Sequence, residues 1–149
     1  MRTVSTLLCA LALSSCSMLG FNDPASVQHY SITSPSGVVY HDLLPGEGEG
    51  AMMGDLITIE YTAYLPDGTR IDSTHDRGRP IQFELGDAPL AGWNEGLVTM
   101  RTGGKRRLEV PAALAYGSQG VPDLVPPDTA LVFDIELVAI DEQQATATR

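Results

Sequence analysis

Residues 56–65 alternate without a break: Ile57, Ile59, Tyr61, Ala63 and Leu65 fall on one face, and Thr58, Glu60, Thr62 and Tyr64 on the other. A period of two marks a strand with one buried face. Pro66-Asp67-Gly68 follows, where proline presets φ and glycine accepts the left-handed position, so a tight turn should return the chain along residues 69–72. Further strands are expected at residues 38–44, closed by Pro45-Gly46, at 81–85, and at 105–110 with Leu108 and Val110 inward. At 130–139, Leu131, Phe133, Ile135 and Leu137 would form the inner face of a long central strand. The period changes at residues 93–100, where Trp93, Leu97 and Met100 stand at i, i+4 and i+7 and predict a helix of about two turns laid on the sheet. It should stop at Thr102-Gly103-Gly104. One short helix facing several antiparallel strands is an α+β design.

The N-terminus follows another pattern. Arg2 and the apolar stretch from Leu7 to Leu13, too short to span a bilayer, predict an export signal over residues 1–15. Its end, Leu13-Ser14-Ser15-Cys16, resembles the bacterial lipobox, in which the cysteine is acylated before cleavage on its N-terminal side. An ordinary signal peptide that holds a cysteine is the alternative. The chain has 2 cysteines, and removing the signal removes Cys9, so Cys16 has no partner for a disulfide, which favours the lipid. Two or three acyl chains would anchor firmly where one would not. Ser17 after the cysteine resembles the outer-membrane sorting pattern of enteric-type bacteria. The expected location is the bacterial cell envelope, lipid-anchored, on the outer membrane facing the periplasm or the exterior. Residues 16–36 read as a polar tether, 37–141 as the folded domain and 142–149 as a polar tail. There is no internal repeat.

Composition narrows the function classes. A chain of 149 residues, 43% hydrophobic, with 15 Gly and 10 Pro, has room for one turn-rich globular domain. Its net charge of -10 argues against a partner held by neutralising phosphates, so nucleic acid is excluded. The basic run from Arg101 to Arg107 is expected to be a solvated turn and strand face. Glycines 46, 48 and 50 are interleaved with Glu47 and Glu49, which repel phosphate, so that stretch is a surface loop. No Ser-His-Asp order and no His-Glu-x-x-His occurs, and His29, His41 and His75 do not cluster in sequence. Neither a metal nor a cofactor is expected.

Several short segments then fall in one order: Tyr61-Thr62, Asp67-Gly68, Asp72-Ser73, Gly92-Trp93, Glu95-Gly96, Ala115-Tyr116-Gly117, Pro126-Pro127 and Leu131-Val132-Phe133-Asp134. Together they resemble an FKBP-type peptidyl-prolyl cis/trans isomerase across nearly the whole domain. The resemblance implies a five-stranded antiparallel sheet curled around the Trp93 helix, with a pocket between them. Carried across, Tyr61, Phe83, Trp93, Tyr116 and Phe133 look like aromatic walls and floor, with Trp93 the floor. Ile71, Ile81, Leu90, Val121, Leu124 and Val125 look like further apolar lining. Asp72 looks like the polar group of the wall, held by Arg77 and the Tyr61 hydroxyl. The catalytic set so implied is Tyr61, Asp72, Trp93, Tyr116 and Phe133.

Blander readings stand beside these. Core packing alone would account for Ile71, Phe83 and Phe133. A surface ion pair would account for Asp72 and Arg77, and a capping contact for Tyr116, which the family uses to donate to a substrate carbonyl. Ile71 and Ile81 stand where relatives often carry Phe, and Val121 where some carry His, so the pocket stays apolar but is less aromatic. Pro89 has no N–H, whereas Leu90 has one and matches the family's backbone donor. The implied partners are proline-containing polypeptides and macrolide inhibitors. The residues before Gly37 show no long helical arm of the kind some secreted relatives use to dimerise, so a monomer is expected. The competing function is an FKBP-fold binding module or holding chaperone whose isomerase activity is incidental.

Overall fold

The structure, a computed structural model, describes residues 30–141. The export signal, the Cys16 lipidation site, most of the tether and the polar tail at 142–149 lie outside the described residues. Within them the chain runs β1 (Ile32–Thr33), β2 (Val39–Leu44), β3 (Glu47–Gly50), β4 (Leu56–Tyr64), β5 (Arg70–Ser73), α1 (Thr74–Arg77), β6 (Ile81–Glu84), α2 (Ala91–Gly96), β7 (Arg101–Thr102), β8 (Lys105–Val110), a 3-10 turn (Ala112–Leu114) and β9 (Leu131–Asp141).

The main sheet has the order β1-β2-β8-β9-β4-β5, with β6 on the same side of β4 as β5. Thr62–Tyr64 of β4 pairs with β5 and Leu56–Ile59 with β6, so β5, α1 and β6 form one interrupted edge. Counted that way the sheet has the five expected positions, plus the dipeptide β1. Every pairing is antiparallel. Ile32 and Thr33 pair with Tyr40 and Val39, so the sheet already includes residues assigned above to the tether. β3 and β7 form a separate small ladder.

The alternation in β4 is realised: Ile57, Ile59, Tyr61 and Ala63 are buried. Leu131, Phe133, Ile135 and Leu137 of β9 lie beside them. Thr58 pairs with Ala139 but Ile59 with Leu137, leaving Val138 as a bulge residue, 43% exposed.

α2 crosses β8 closely because it carries glycine where the two meet. A Cβ on Gly96 would stand 2.1 Å from Leu108 Cδ2, and one on Gly92 2.5 Å from Val110 Cγ1. Gly96→Ala is therefore expected to destabilise the fold by about 1–3 kcal/mol through overpacking, despite alanine's better helix propensity. Urea unfolding checks this, and a variant as stable as the parent would contradict it.

Three further expectations need correction. The stretch expected to be a surface loop is mostly exposed but not a loop throughout, since Glu47–Gly50 is the strand β3, paired with β7. The helix is Ala91–Gly96, not residues 93–100. Thr99 has φ 72, its N–H donates to the Ala51 carbonyl at 2.8 Å, and the Ala51 N–H donates to the Met100 carbonyl at 2.7 Å. Pairing with residue 51 replaces a second helical turn, yet Trp93, Leu97 and Met100 all stay buried, so the apolar spacing reported burial rather than helix length. The basic run is also not wholly solvated: Arg106 faces inward with Leu108 and Val110 and is only 2% exposed.

Candidate active site

α2, the interrupted edge and the loop before β9 enclose a cavity of about 250 Å³. Trp93, 2% exposed, sits among the other rings. Its indole meets Tyr61 edge-on at 5.0 Å between centroids and Phe133 at 5.2 Å, nearly perpendicular. Phe83 stacks on it at 5.9 Å. Perpendicular neighbours fix the plane of a ring that a helix of only six residues could not orient alone.

The polar part of the wall comes from β4, β5 and α1. Tyr61 Oη donates to Asp72 Oδ2 at 2.6 Å and accepts from Arg77 Nη2 at 2.5 Å. Arg77 also pairs with Asp72 at 3.3 Å and lies over the Tyr61 ring at 5.3 Å. The other Asp72 oxygen accepts the Ser73 N–H at 2.8 Å. Ser73 caps α1, its side chain accepting from the His75 N–H, and this short turn carries Arg77 back toward the cavity. Asp72 and Arg77 keep side-chain exposures of 37% and 43%, so the pair is half-wet and directed at the cavity mouth.

Burial, reinforced by the bond to Asp72, raises the Tyr61 phenol above its ordinary value of 10.0, while Arg77 opposes the shift. The bond that Arg77 donates to the Tyr61 oxygen holds its guanidinium up as well. A phenol with a raised value contributes stability that is complete below pH 10 and lost as pH climbs through the folded-state value. Stability should therefore fall more steeply above pH 10 in the parent than in Tyr61→Phe. Parallel curves in alkaline unfolding titrations would contradict this.

One helical residue sets the opposite rim. Asn94 Oδ1 accepts the N–H groups of Gly86 at 2.9 Å and Ala88 at 3.1 Å, which fixes the turn carrying Pro89 and Leu90 over the cavity. Tyr116 follows the 3-10 turn, lines the cavity and is 43% exposed. Among the described residues no group of three or more His, Cys, Asp or Glu side chains could hold a metal ion.

The profile of the family described as FKBP-type peptidyl-prolyl cis-trans isomerase matches residues 47–138, a stretch that contains the whole cavity. The chain belongs to the FKBP family. Its FKBP domain is 48% identical over 92 residues to FK506-binding protein 2 of Yarrowia lipolytica, covering 61% of this chain and 64% of that protein. It is 39% identical over 107 residues to the FK506-binding protein of Neisseria meningitidis serogroup B, covering 71% of this chain and 98% of that one. The crystal structure of FkpA from Escherichia coli superposes with a TM-score of 0.69 at 38% identity, over 78% of this chain and 54% of that chain. The chain thus spans less than two thirds of the length of some of these FKBP relatives.

Of the residues expected at an FKBP pocket, Tyr61, Ile71, Asp72, Arg77, Ile81, Leu90, Trp93, Tyr116, Leu124 and Phe133 line the cavity. Phe83 does not; it supports the indole from outside. Val121 and Val125 do not either. They are bonded to each other, Val121 N to Val125 O at 2.8 Å and Val125 N to Val121 O at 2.9 Å, which folds their loop onto itself. Both line a neighbouring open groove of about 410 Å³, which shares only Leu124 with the cavity. That groove is larger, but none of the residues lining it is aromatic or takes part in an ion pair. Ala63, Pro89 and Leu131 line the cavity without having been named for it. Ala63 and Leu131 were legible as inner-face positions. Asn94, on a helix surface, carried no signal.

Proposed function

We propose that this FKBP domain is a peptidyl-prolyl cis/trans isomerase acting on X-Pro bonds of envelope or secreted proteins. The observation that carries the reading is one enclosed, mostly apolar cavity that joins the Trp93 indole to the Tyr61, Asp72 and Arg77 cluster.

An X-Pro amide rotates over a barrier of about 18–20 kcal/mol, and its isomers exchange over roughly tens to hundreds of seconds. No bond breaks. At the barrier top the amide has lost resonance, its carbonyl is less polarised and the proline nitrogen is more basic. A site that strips water from the carbonyl and seats the ring on an indole binds that twisted form better than either planar isomer. In this account the prolyl ring rests on Trp93, with Tyr61, Ile81 and Phe133 around it. The Tyr116 hydroxyl and the Leu90 N–H are donors for the flanking carbonyls. An enzymatic rate asks for roughly 3–7 kcal/mol of selective stabilisation, within reach of methylene burial at about 0.8 kcal/mol each and a net hydrogen bond at about 1. None of this uses a nucleophile or a metal.

The test is a protease-coupled assay on X-Pro tetrapeptides with the soluble chain from Ser17 onward. Saturable acceleration is expected, and Tyr116→Phe should lower kcat/KM about fivefold, the worth of one hydrogen bond. Uncatalysed rates from a folded parent would overturn the reading and favour the binding-module alternative. Macrolide binding is part of the same proposal, since both curated relatives described above are named for FK506.

We further propose that the protein is a lipoprotein acylated at Cys16 after removal of residues 1–15, monomeric, and held in the bacterial cell envelope on the outer membrane. The support is the lipobox-like end of the apolar segment and the lack of a second cysteine in the mature chain. Intact-mass measurement of the membrane fraction should give a diacylated or triacylated mass that disappears in Cys16→Ala. An unmodified, soluble parent would remove the anchor.

A further inference from the structure

The most deeply buried charge among the described residues belongs to Arg106, on the strand that faces α2 rather than at the cavity. Its guanidinium has no idle donor. Nε gives to Asp42 Oδ1 at 2.7 Å and Nη2 to Asp42 Oδ2 at 3.2 Å, a bidentate pair across β2 and β8. Nη1 gives to the Gly96 carbonyl at 2.8 Å and to the Val98 carbonyl at 3.0 Å, while Nη2 reaches Thr99 Oγ1 at 3.5 Å. The Tyr40 ring lies 4.5 Å from the guanidinium carbon.

Burying a charge this completely is unfavourable unless every donor is matched, and a charged pair is a poor way to gain stability alone. Its targets indicate another use. α2 is six residues long, has no side-chain cap at its start, and has glycine at its last position. A helix that short does not hold its own ends. Gly96 and Val98 are the carbonyls at which α2 passes into the turn toward Met100, and Trp93 stands one turn before them. The guanidinium closes this end as a charge placed against the negative end of the helix.

We propose that Arg106, anchored by Asp42, is a positioning residue for the isomerase: it fixes the C-terminal end of α2 and thereby the plane of the Trp93 indole on which the prolyl ring rests. The inference rests on the isomerase reading for its kinetic part only, because Trp93 is the single tryptophan of the chain and its fluorescence reports the indole directly.

The experiment separates positioning from stability. In Asp42→Leu/Arg106→Met both charges are removed together for apolar side chains of similar bulk, an exchange that is often neutral or stabilising, while the Gly96 and Val98 carbonyls lose their donor. The double variant should unfold at a urea concentration close to the parent's. Its kcat for an X-Pro tetrapeptide should be at least about tenfold lower, a difference of about 1.4 kcal/mol at the barrier. Its folded-state indole emission should be shifted or more readily quenched by acrylamide. Arg106→Lys, which keeps the charge but cannot reach Asp42 and both carbonyls, is expected to show the same kcat loss and emission change. A variant with parental kcat and emission overturns the proposal, whatever its stability. If the parent itself does not accelerate isomerisation, the functional reading fails, and the emission and quenching comparison still decides whether Arg106 sets the indole.

Discussion

Trp93→Ala is expected to cost about 3–5 kcal/mol of stability, the usual loss when a buried aromatic is cut to alanine, and to remove isomerase activity even in the molecules that stay folded. The side chain is 2% exposed and touches the rings of Tyr61, Phe83 and Phe133, so its removal opens a void that three aromatic walls cannot close by small shifts. Against a typical total of about 5–15 kcal/mol, that loss places the variant near the edge of folding. Because the only tryptophan is gone, urea unfolding must be followed by far-ultraviolet circular dichroism. Parental stability would mean that the indole does not organise the core.

Asp72→Ala should separate the same two quantities in the opposite way. The carboxylate and Arg77 are 37% and 43% exposed, and half-wet ion pairs of this kind contribute about 0–1 kcal/mol, so the melting curve should hardly move. Activity should fall by about one to two decades in kcat/KM, since a hydrogen bond to a charged group is worth about 1.5–3 kcal/mol where it is needed. Losing the acceptor frees the Tyr61 hydroxyl and leaves Arg77 without its carboxylate at the cavity mouth. Peptide kinetics beside thermal unfolding check the split. A variant that melts early but turns over normally would make Asp72 a structural residue only.

The strands were legible because half-buried antiparallel strands impose a period of two on the chain. β4 and β9 keep that period over most of their length, and the residues named as inward-facing are the buried ones except Leu65, which lies past the end of β4 and is only partly buried. The helix was legible by its apolar stripe but not by its length, since the pairing of Ala51 with Thr99 and Met100 is a long-range event that local spacing does not encode. Arg106 was misread for a related reason. Its partners, Asp42 and the carbonyls of Gly96 and Val98, are brought together by the sheet, and an arginine in a basic run looks solvated until they are known.

The site was legible chiefly through the motif order rather than through local chemistry. Tyr61, Asp72, Arg77, Trp93 and Phe133 come from five separate elements, and only the family resemblance put them in one place beforehand. The same resemblance named Val121 and Val125, which a tight backbone bridge places in the adjoining groove next to the cavity. It also missed Asn94, whose contribution is two hydrogen bonds to the backbone of a turn and leaves no mark on spacing or hydropathy.

The most direct measurement is exchange nuclear magnetic resonance on an X-Pro peptide with a small fraction of the protein present, observing the Trp93 indole N–H in the same tube. The account predicts cis/trans exchange cross-peaks that grow with protein concentration and vanish when a second proline ligand displaces the peptide, together with a shift of the indole resonance. A shifted indole with exchange left at the uncatalysed rate would contradict it, and would make the cavity a place where proline binds without being turned.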